Sequence, residues 1–172
     1  MFKKLLQILV ITVVFCQYAT ASVFDHPQKL AVITKELPEL NSINCRFKQE
    51  KTFPNSNVKI NSLGNFKFVK GKEIVFITTY PTNMITTYNT SEYRQINDII
   101  TAISTKSYSK IEKIFTFYFQ KSNNSWDLGL IPKQTHSCAK YLRSVEIQGA
   151  SYITKIVIIT KNSGTTTIWF NK

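Results

Sequence analysis

Residues 153–170 run Ile153-Thr154-Lys155-Ile156-Val157-Ile158-Ile159-Thr160, then Lys161-Asn162-Ser163-Gly164, then Thr165-Thr166-Thr167-Ile168-Trp169-Phe170. Two β-branched runs flank four turn formers, which is the pattern of a β-hairpin. The same grammar extends upstream. Trp126, Leu128 and Leu130 alternate up to Pro132, and residues 141–148 alternate Leu142, Ser144 and Glu146 against Arg143, Val145 and Ile147. Nearer the N-terminus, Ile43, Cys45 and Phe47 alternate with Asn44, Arg46 and Lys48, and Phe66 and Phe68 flank Lys67 after Gly64. Period-two alternation marks strands with one buried face. Ile74 to Thr79 is a short β-branched and aromatic run stopped by Tyr80-Pro81. Ile85 to Tyr88 and Glu92 to Ile96 are weaker strands around a turn at Asn89. Pro54-Asn55-Ser56-Asn57 and Lys70-Gly71-Lys72 read as turns.

Helix is expected in two places. Asp25 is an N-cap candidate, Pro27 suits a first turn, and Leu30, Ile33 and Leu37 recur at helical spacing before Pro38, which predicts a helix over 26–37. Residues 97–120 carry two periods at once. Ile99, Ile100 and Ile103 share a helix face, as do Ile111, Ile114, Phe115 and Tyr118, yet Phe115, Phe117 and Phe119 also fit a strand. The reading is a helix over about 107–115 that passes into a strand near Phe117. The whole is one helix followed by a meander of about eight to eleven strands with a helical interruption. No linker, repeat or low-complexity tract divides it. A sheet of that size curls and can enclose an apolar hollow.

Residues 1–21 read as a secretory signal: Lys3 and Lys4, an apolar run from Leu5 to Phe15, and Ala19-Thr20-Ala21 before the cleavage point. The apolar run is too short for a membrane span, which needs about 20 residues. A lipoprotein signal at Cys16 is the nearer rival, but Phe15 stands where a small side chain is required. The expectation is export to the periplasm, cleavage after Ala21 and a single domain over 22–172. Without Lys3 and Lys4 the +12 of the full chain becomes +10. The base is spread along the chain, with no stripe or module that would indicate nucleic acid. It suits anionic lipid head groups or an acidic surface polymer, or simply a solvated face. Cys45 and Cys138 remain, and an oxidising compartment allows a disulfide closing 93 residues, worth about 4–5 kcal/mol by chain entropy. The alternative is two separate buried thiols.

Catalytic constellations are missing from the sequence. Gly64 and Gly71 belong to no phosphate loop, His26 and His136 to no metal spacing, and no nucleophile elbow accompanies Ser137, His136 and Asp127. A carboxylate pair such as Glu50 and Asp127 is no more than ten acidic residues produce by chance. The expectation is a protein without catalytic residues, metal or cofactor.

The order of motifs is more specific than any one of them. Phe47-Lys48-Gln49 follows the first helix. Then come Ser62-Leu63-Gly64-Asn65-Phe66-Lys67-Phe68 and Phe76-Ile77-Thr78-Thr79-Tyr80-Pro81. Trp126-Asp127-Leu128-Gly129-Leu130-Ile131-Pro132 and Gly164-Thr165-Thr166-Thr167-Ile168-Trp169-Phe170 close the series. Behind a signal peptide, and over about 25–171, this resembles the LolA-like outer-membrane lipoprotein carrier family. Two features depart from that family's pattern. Phe76 stands in place of its strand tryptophan. Lys70-Gly71-Lys72-Glu73 stands in place of the arginine stretch that holds its lid shut. Both are more like the divergent members associated with lipid or aryl-polyene export.

The resemblance implies a mainly β (α+β) fold: a curved, incompletely closed antiparallel β-barrel with an N-terminal helix and lid helices. It implies a monomeric periplasmic carrier that shelters the acyl chains of a lipoprotein or other lipid on the way to the outer membrane. Such a carrier would meet membrane-bound donor and acceptor proteins transiently. A lipid-sensing or regulatory domain on the same fold is the alternative. The residues expected to line the hollow are Phe47, Phe66, Phe68, Phe76, Ile85, Phe115 and Tyr118. Gln49 is expected to bond backbone, and Trp126, Pro132 and Gly164 to be structural.

Overall fold

The computed structural model describes residues 22–70, 73–87 and 94–172. The expected signal segment with Cys16, the Gly71-Lys72 part of one turn, the Asn89 turn, and Glu92 of the expected 92–96 strand lie outside the described residues. The fold is mainly antiparallel β. Nine strands form one sheet: β1 (Ile43–Thr52), β2 (Lys59–Val69), β3 (Glu73–Tyr80), β4 (Met84–Thr87), β5 (Phe115–Lys121), β6 (Trp126–Pro132), β7 (Leu142–Gly149), β8 (Ile153–Thr160) and β9 (Thr165–Asn171). Their order is β4-β3-β2-β1-β9-β8-β7-β6-β5. Strands β4 and β5 do not pair with each other, so the sheet is not closed into a barrel. Each hairpin partner is its chain neighbour except at the middle, where β9 lies between β1 and β8. The 153–170 hairpin forms as read, with Ile156 opposite Ile168 and Gly164 at φ +86° in the turn. Only glycine adopts that φ without strain.

Alternation sets the inner face. Cys45 and Phe47, Phe66 and Phe68, Ile74 and Phe76, Phe117 and Phe119, and Ile168 and Phe170 are buried, while Arg46, Lys48, Asn65 and Lys67 are exposed. Strand β7 breaks the rule: Leu142 and Val145 are both buried although three apart. Leu142 pairs with Thr160 and Ser144 with Ile159, so Arg143 is an extra residue in a β-bulge that resets the phase. The β2–β3 ladder shifts at the Leu63–Gly64 step, and the β1–β2 register sets Phe47 opposite Gly64. A Cβ on Gly64 would run into the Ile77 carbonyl oxygen and stand 2.7 Å from the Phe47 ring, which explains the glycine in Ser62-Leu63-Gly64.

Three helices accompany the sheet among the described residues: α1 (Leu30–Glu36), α2 (Arg94–Thr105) and α3 (Ser109–Glu112). Three expectations are corrected here. The first helix begins at Leu30, not residue 26. Asp25 instead ends a single 3₁₀ turn, Val23–Asp25, where its carboxylate accepts from the Ser22 N–H at 3.2 Å. The chain at 26–28 is then claimed by the free edge of β5. The Gln28 N–H donates to the Phe117 carbonyl at 3.1 Å, and the Phe119 N–H to the His26 carbonyl at 3.0 Å. Covering an edge strand in this way removes a site of self-pairing. Pro38 does end α1, by holding Leu37 extended at ψ 129°. The second correction is Ile96, expected in a strand but helical. Ile96, Ile99, Ile100 and Ile103 form the buried stripe of α2, which overrides the local alternation. The expected helix over 107–115 shrinks to the one turn of α3, and β5 begins at Phe115.

Candidate functional site

The inner face of the sheet is the only contiguous apolar core among the described residues, and α2 lies in it. Its β1–β3 end is a cluster of rings. Phe76 meets Phe47 at 5.0 Å and Phe66 at 4.6 Å between centroids, and Phe66 meets Phe170 at 4.6 Å. Tilted and edge-to-face packing at these distances adds about 0.5–1.5 kcal/mol per pair beyond area burial. Three of the expected lining residues, Phe47, Phe66 and Phe76, are thereby brought together. Phe68 is buried beside them, and Phe115 is buried on β5 at the far edge of the sheet. Phe170 joins the cluster without having been expected there, although its alternation with Ile168 carries the signal.

Two expected lining residues face elsewhere. Ile85 pairs with Ile77 on the outer face and is 70% exposed. Tyr118 alternates with buried Phe117 and Phe119, so it points outward, and its ring meets Phe24 at 5.6 Å. Phe24 is held there because β6 carries Gly129. A Cβ at that position would stand 2.8 Å from the Phe24 ring. The Cys45–Cys138 bridge is corrected too, because both are free, buried thiols. Cys45 is on β1 and Cys138 in a 3₁₀ turn before β7. β9 and β8 stand between β1 and β7 in the sheet, so the two thiols belong to elements that are not neighbours, whereas a disulfide needs Cα atoms within about 7 Å. Burial pushes both thiol pKa values up. The Sγ of Cys138 lies 3.0 Å from Nδ1 of His136, which also accepts from the Cys138 N–H and so caps that turn. Trp126 donates from Nε1 to the Ala150 carbonyl at 2.8 Å, a structural role.

Where α1 runs into β1, a small hollow opens between Leu40, Phe66, Phe68, Ile100 and Ile153, with a volume of about 10 Å³. That is room for about one water. The rest of this region is filled by side chains, among them Ile99, Ile100 and Ile103 at 0–1% exposure. The apolar hollow expected from the sequence is therefore occupied here by side chains, those of α2 among them.

The buried isoleucine stripe seats α2 on the sheet, and polar contacts at the rim tie α2 and α3 to their neighbours. Lys106 follows the last turn in the left-handed region, φ +54°, and the Ser107 N–H returns to the Ala102 carbonyl at 3.1 Å. This is a C-terminal cap with lysine where glycine is usual. The turn aims the Lys106 ammonium at the end of α1, where it donates to the carbonyls of Thr34 (3.2 Å) and Leu37 (3.1 Å). A cation at a helix C-terminus is also favoured by the helix dipole. Lys110 on α3 donates to Asp98 on α2 at 2.7 Å, and Lys133 to the Glu112 carbonyl at 2.8 Å. Between α2 and α3, Tyr108 is 4% exposed and its hydroxyl has no hydrogen-bond partner. Burial pushes that phenol up to about 12. An unpaired buried hydroxyl costs about 1–3 kcal/mol.

Among the described residues no three His, Cys, Asp or Glu side chains gather to hold a metal ion, and no helix is long and apolar enough to cross a membrane. Compared with known proteins, the chain matches no family model and no curated sequence.

Proposed function

We propose that this protein is a periplasmic carrier of lipid acyl chains, seen with its lid drawn shut. The sheet is the trough, and α2 with α3 is the lid whose isoleucines occupy the place of cargo. The observation that carries this reading is how the open sheet is closed. A twelve-residue helix seals the apolar face, and its polar ties are surface lysines to carbonyls and a carboxylate. Such ties exchange readily for water, and the contacts of the buried isoleucines are offset by those of an incoming tail. A lid of this kind can uncover the ring cluster of Phe47, Phe66, Phe76 and Phe170 when a tail arrives. Each methylene then buried contributes about 0.8 kcal/mol. The LolA-like motif order and the export signal support the same reading, with the cargo passed towards the outer membrane.

The test is direct. Protein from its native envelope is analysed by native mass spectrometry, and purified protein is titrated with a fluorescent fatty acid. Carriage predicts co-purifying lipid, or saturable binding that unlabelled fatty acid displaces. Absence of both, with α2 exchanging its amides no faster than the sheet, would refute it.

A further inference from the structure

We propose that the outer face of the β2–β3–β4 end docks onto an anionic lipid surface. Among the described residues nine large apolar side chains are exposed. Seven of these lie between Val58 and Ile85, the others being Val32 and Tyr141. Four of the seven meet in pairs on the side opposite the ring cluster. Ile77 faces Ile85 across β3–β4, and Leu63 faces Tyr80 across β2–β3. Ile85 and Tyr80 are the most open of these, at 70% and 56%.

Cations outnumber acids on this face, where Glu50 on β1 and Glu73 on β3 also stand. Lys48 lies opposite Leu63, and Arg46 opposite Asn65 in the row that continues to Ile77 and Ile85. Lys67 lies opposite Val75 on the same face. The acid on this face of β1, Glu50, is paired with Lys59 at 3.2 Å. An apolar strip flanked by cations matches an anionic bilayer, with aliphatic tips below the head groups and the Tyr80 ring at their level. A second copy of the chain fits less well, because it brings the same cations and a net charge of like sign. The N-terminal segment shields β5 at the other end of the sheet, while among the described residues no strand pairs with the outer side of β4. This docking does not depend on lipid carriage, because vesicle binding and fatty-acid binding are separate readouts.

The experiment is flotation with phosphatidylcholine vesicles, with and without phosphatidylglycerol, at low and high salt. The expected result is binding to the phosphatidylglycerol vesicles alone, weakened by salt. Ile85→Asp should release most of the bound protein. Lys48→Glu, at an exposed site where the ammonium lies 5.7 Å from the Trp169 ring, should weaken partitioning at least about fivefold, the worth of one basic residue near such a surface, with thermal unfolding checked against the parent. Val32→Asp, exposed on α1, should change nothing. Three results would overturn the proposal: equal binding to neutral vesicles, no binding at all, or Lys48→Glu binding as tightly as the parent. Self-association that Ile85→Asp abolishes, without vesicle binding, would assign the face to a second copy instead.

Discussion

Replacing Lys106 by methionine keeps the length and apolar stem of the side chain but removes the ammonium that ties α2 to the end of α1. Two bonds are lost, at 3.2 Å to Thr34 and 3.1 Å to Leu37. The lysine is exposed, so each bond is solvent-screened and worth about 0.5 kcal/mol, together about 1 kcal/mol. A change of that size raises the population with α2 released about fivefold. Hydrogen exchange followed by mass spectrometry reads this directly. Amides of Ile99, Ile100 and Ile103 should exchange about fivefold faster, while those of β9 stay as they were. Lys106→Gly loses the same bonds but relieves the left-handed backbone at φ +54°, so its effect should be smaller than that of methionine. Fluorescent fatty acid should bind the methionine variant more readily by a similar factor. Unchanged exchange in α2 would refute the latch. Equal acceleration in β9 would refute it as well, because that is a general loss of stability and not release of a lid.

Three further outcomes follow from the same geometry. Tyr108→Phe removes a buried hydroxyl that has no partner, so stability should rise by about 1 kcal/mol in denaturant titration and fatty-acid uptake should weaken. Asp127 has its pKa raised, by burial first, with Lys155 and Gln148 pulling the other way. Its charge therefore opposes folding at neutral pH, and the penalty fades as pH falls through the folded pKa. Asp127→Asn should raise Tm at about pH 7 more than at about pH 3, and an equal gain at both would contradict this sign. Unreduced protein should show almost no thiol reactivity when native and two reactive thiols, Cys45 and Cys138, once unfolded. Their appearance only after reductant is added would restore the disulfide.

How much of this was legible depends on where the information sits. Strands with one wet face advertise themselves, so β1 and β2 stand where alternation puts them, and β8 and β9 where β-branched runs flank the Lys161–Gly164 turn. Local pattern is silent on what a neighbouring edge demands. Asp25 and Pro27 have the chemistry of a helix start, and lost it because the unpaired edge of β5 takes residues 26–28 as a partner. Bulges are equally hidden. The phase of β7 turns on one extra residue, Arg143, that nothing in its identity announces. For the site, the aromatic alternation found Phe47, Phe66 and Phe76. It misplaced Ile85 and Tyr118, because choosing the inner face requires the register of the neighbouring strand. Lys106 was invisible in sequence, since its role comes from a left-handed turn meeting a helix end 69 residues earlier.

The position of β9 has a consequence for how the molecule comes into being. It is the ninth strand along the chain and the fifth across the sheet, and it alone joins the β1–β4 half to the β5–β8 half. A polypeptide delivered N-terminus first therefore waits as two disconnected ribbons, each with a raw flank, until β9 arrives to weld them. That interval is when a chaperone would matter most, and Thr165–Asn171 is the stretch whose loss would leave two halves and no trough.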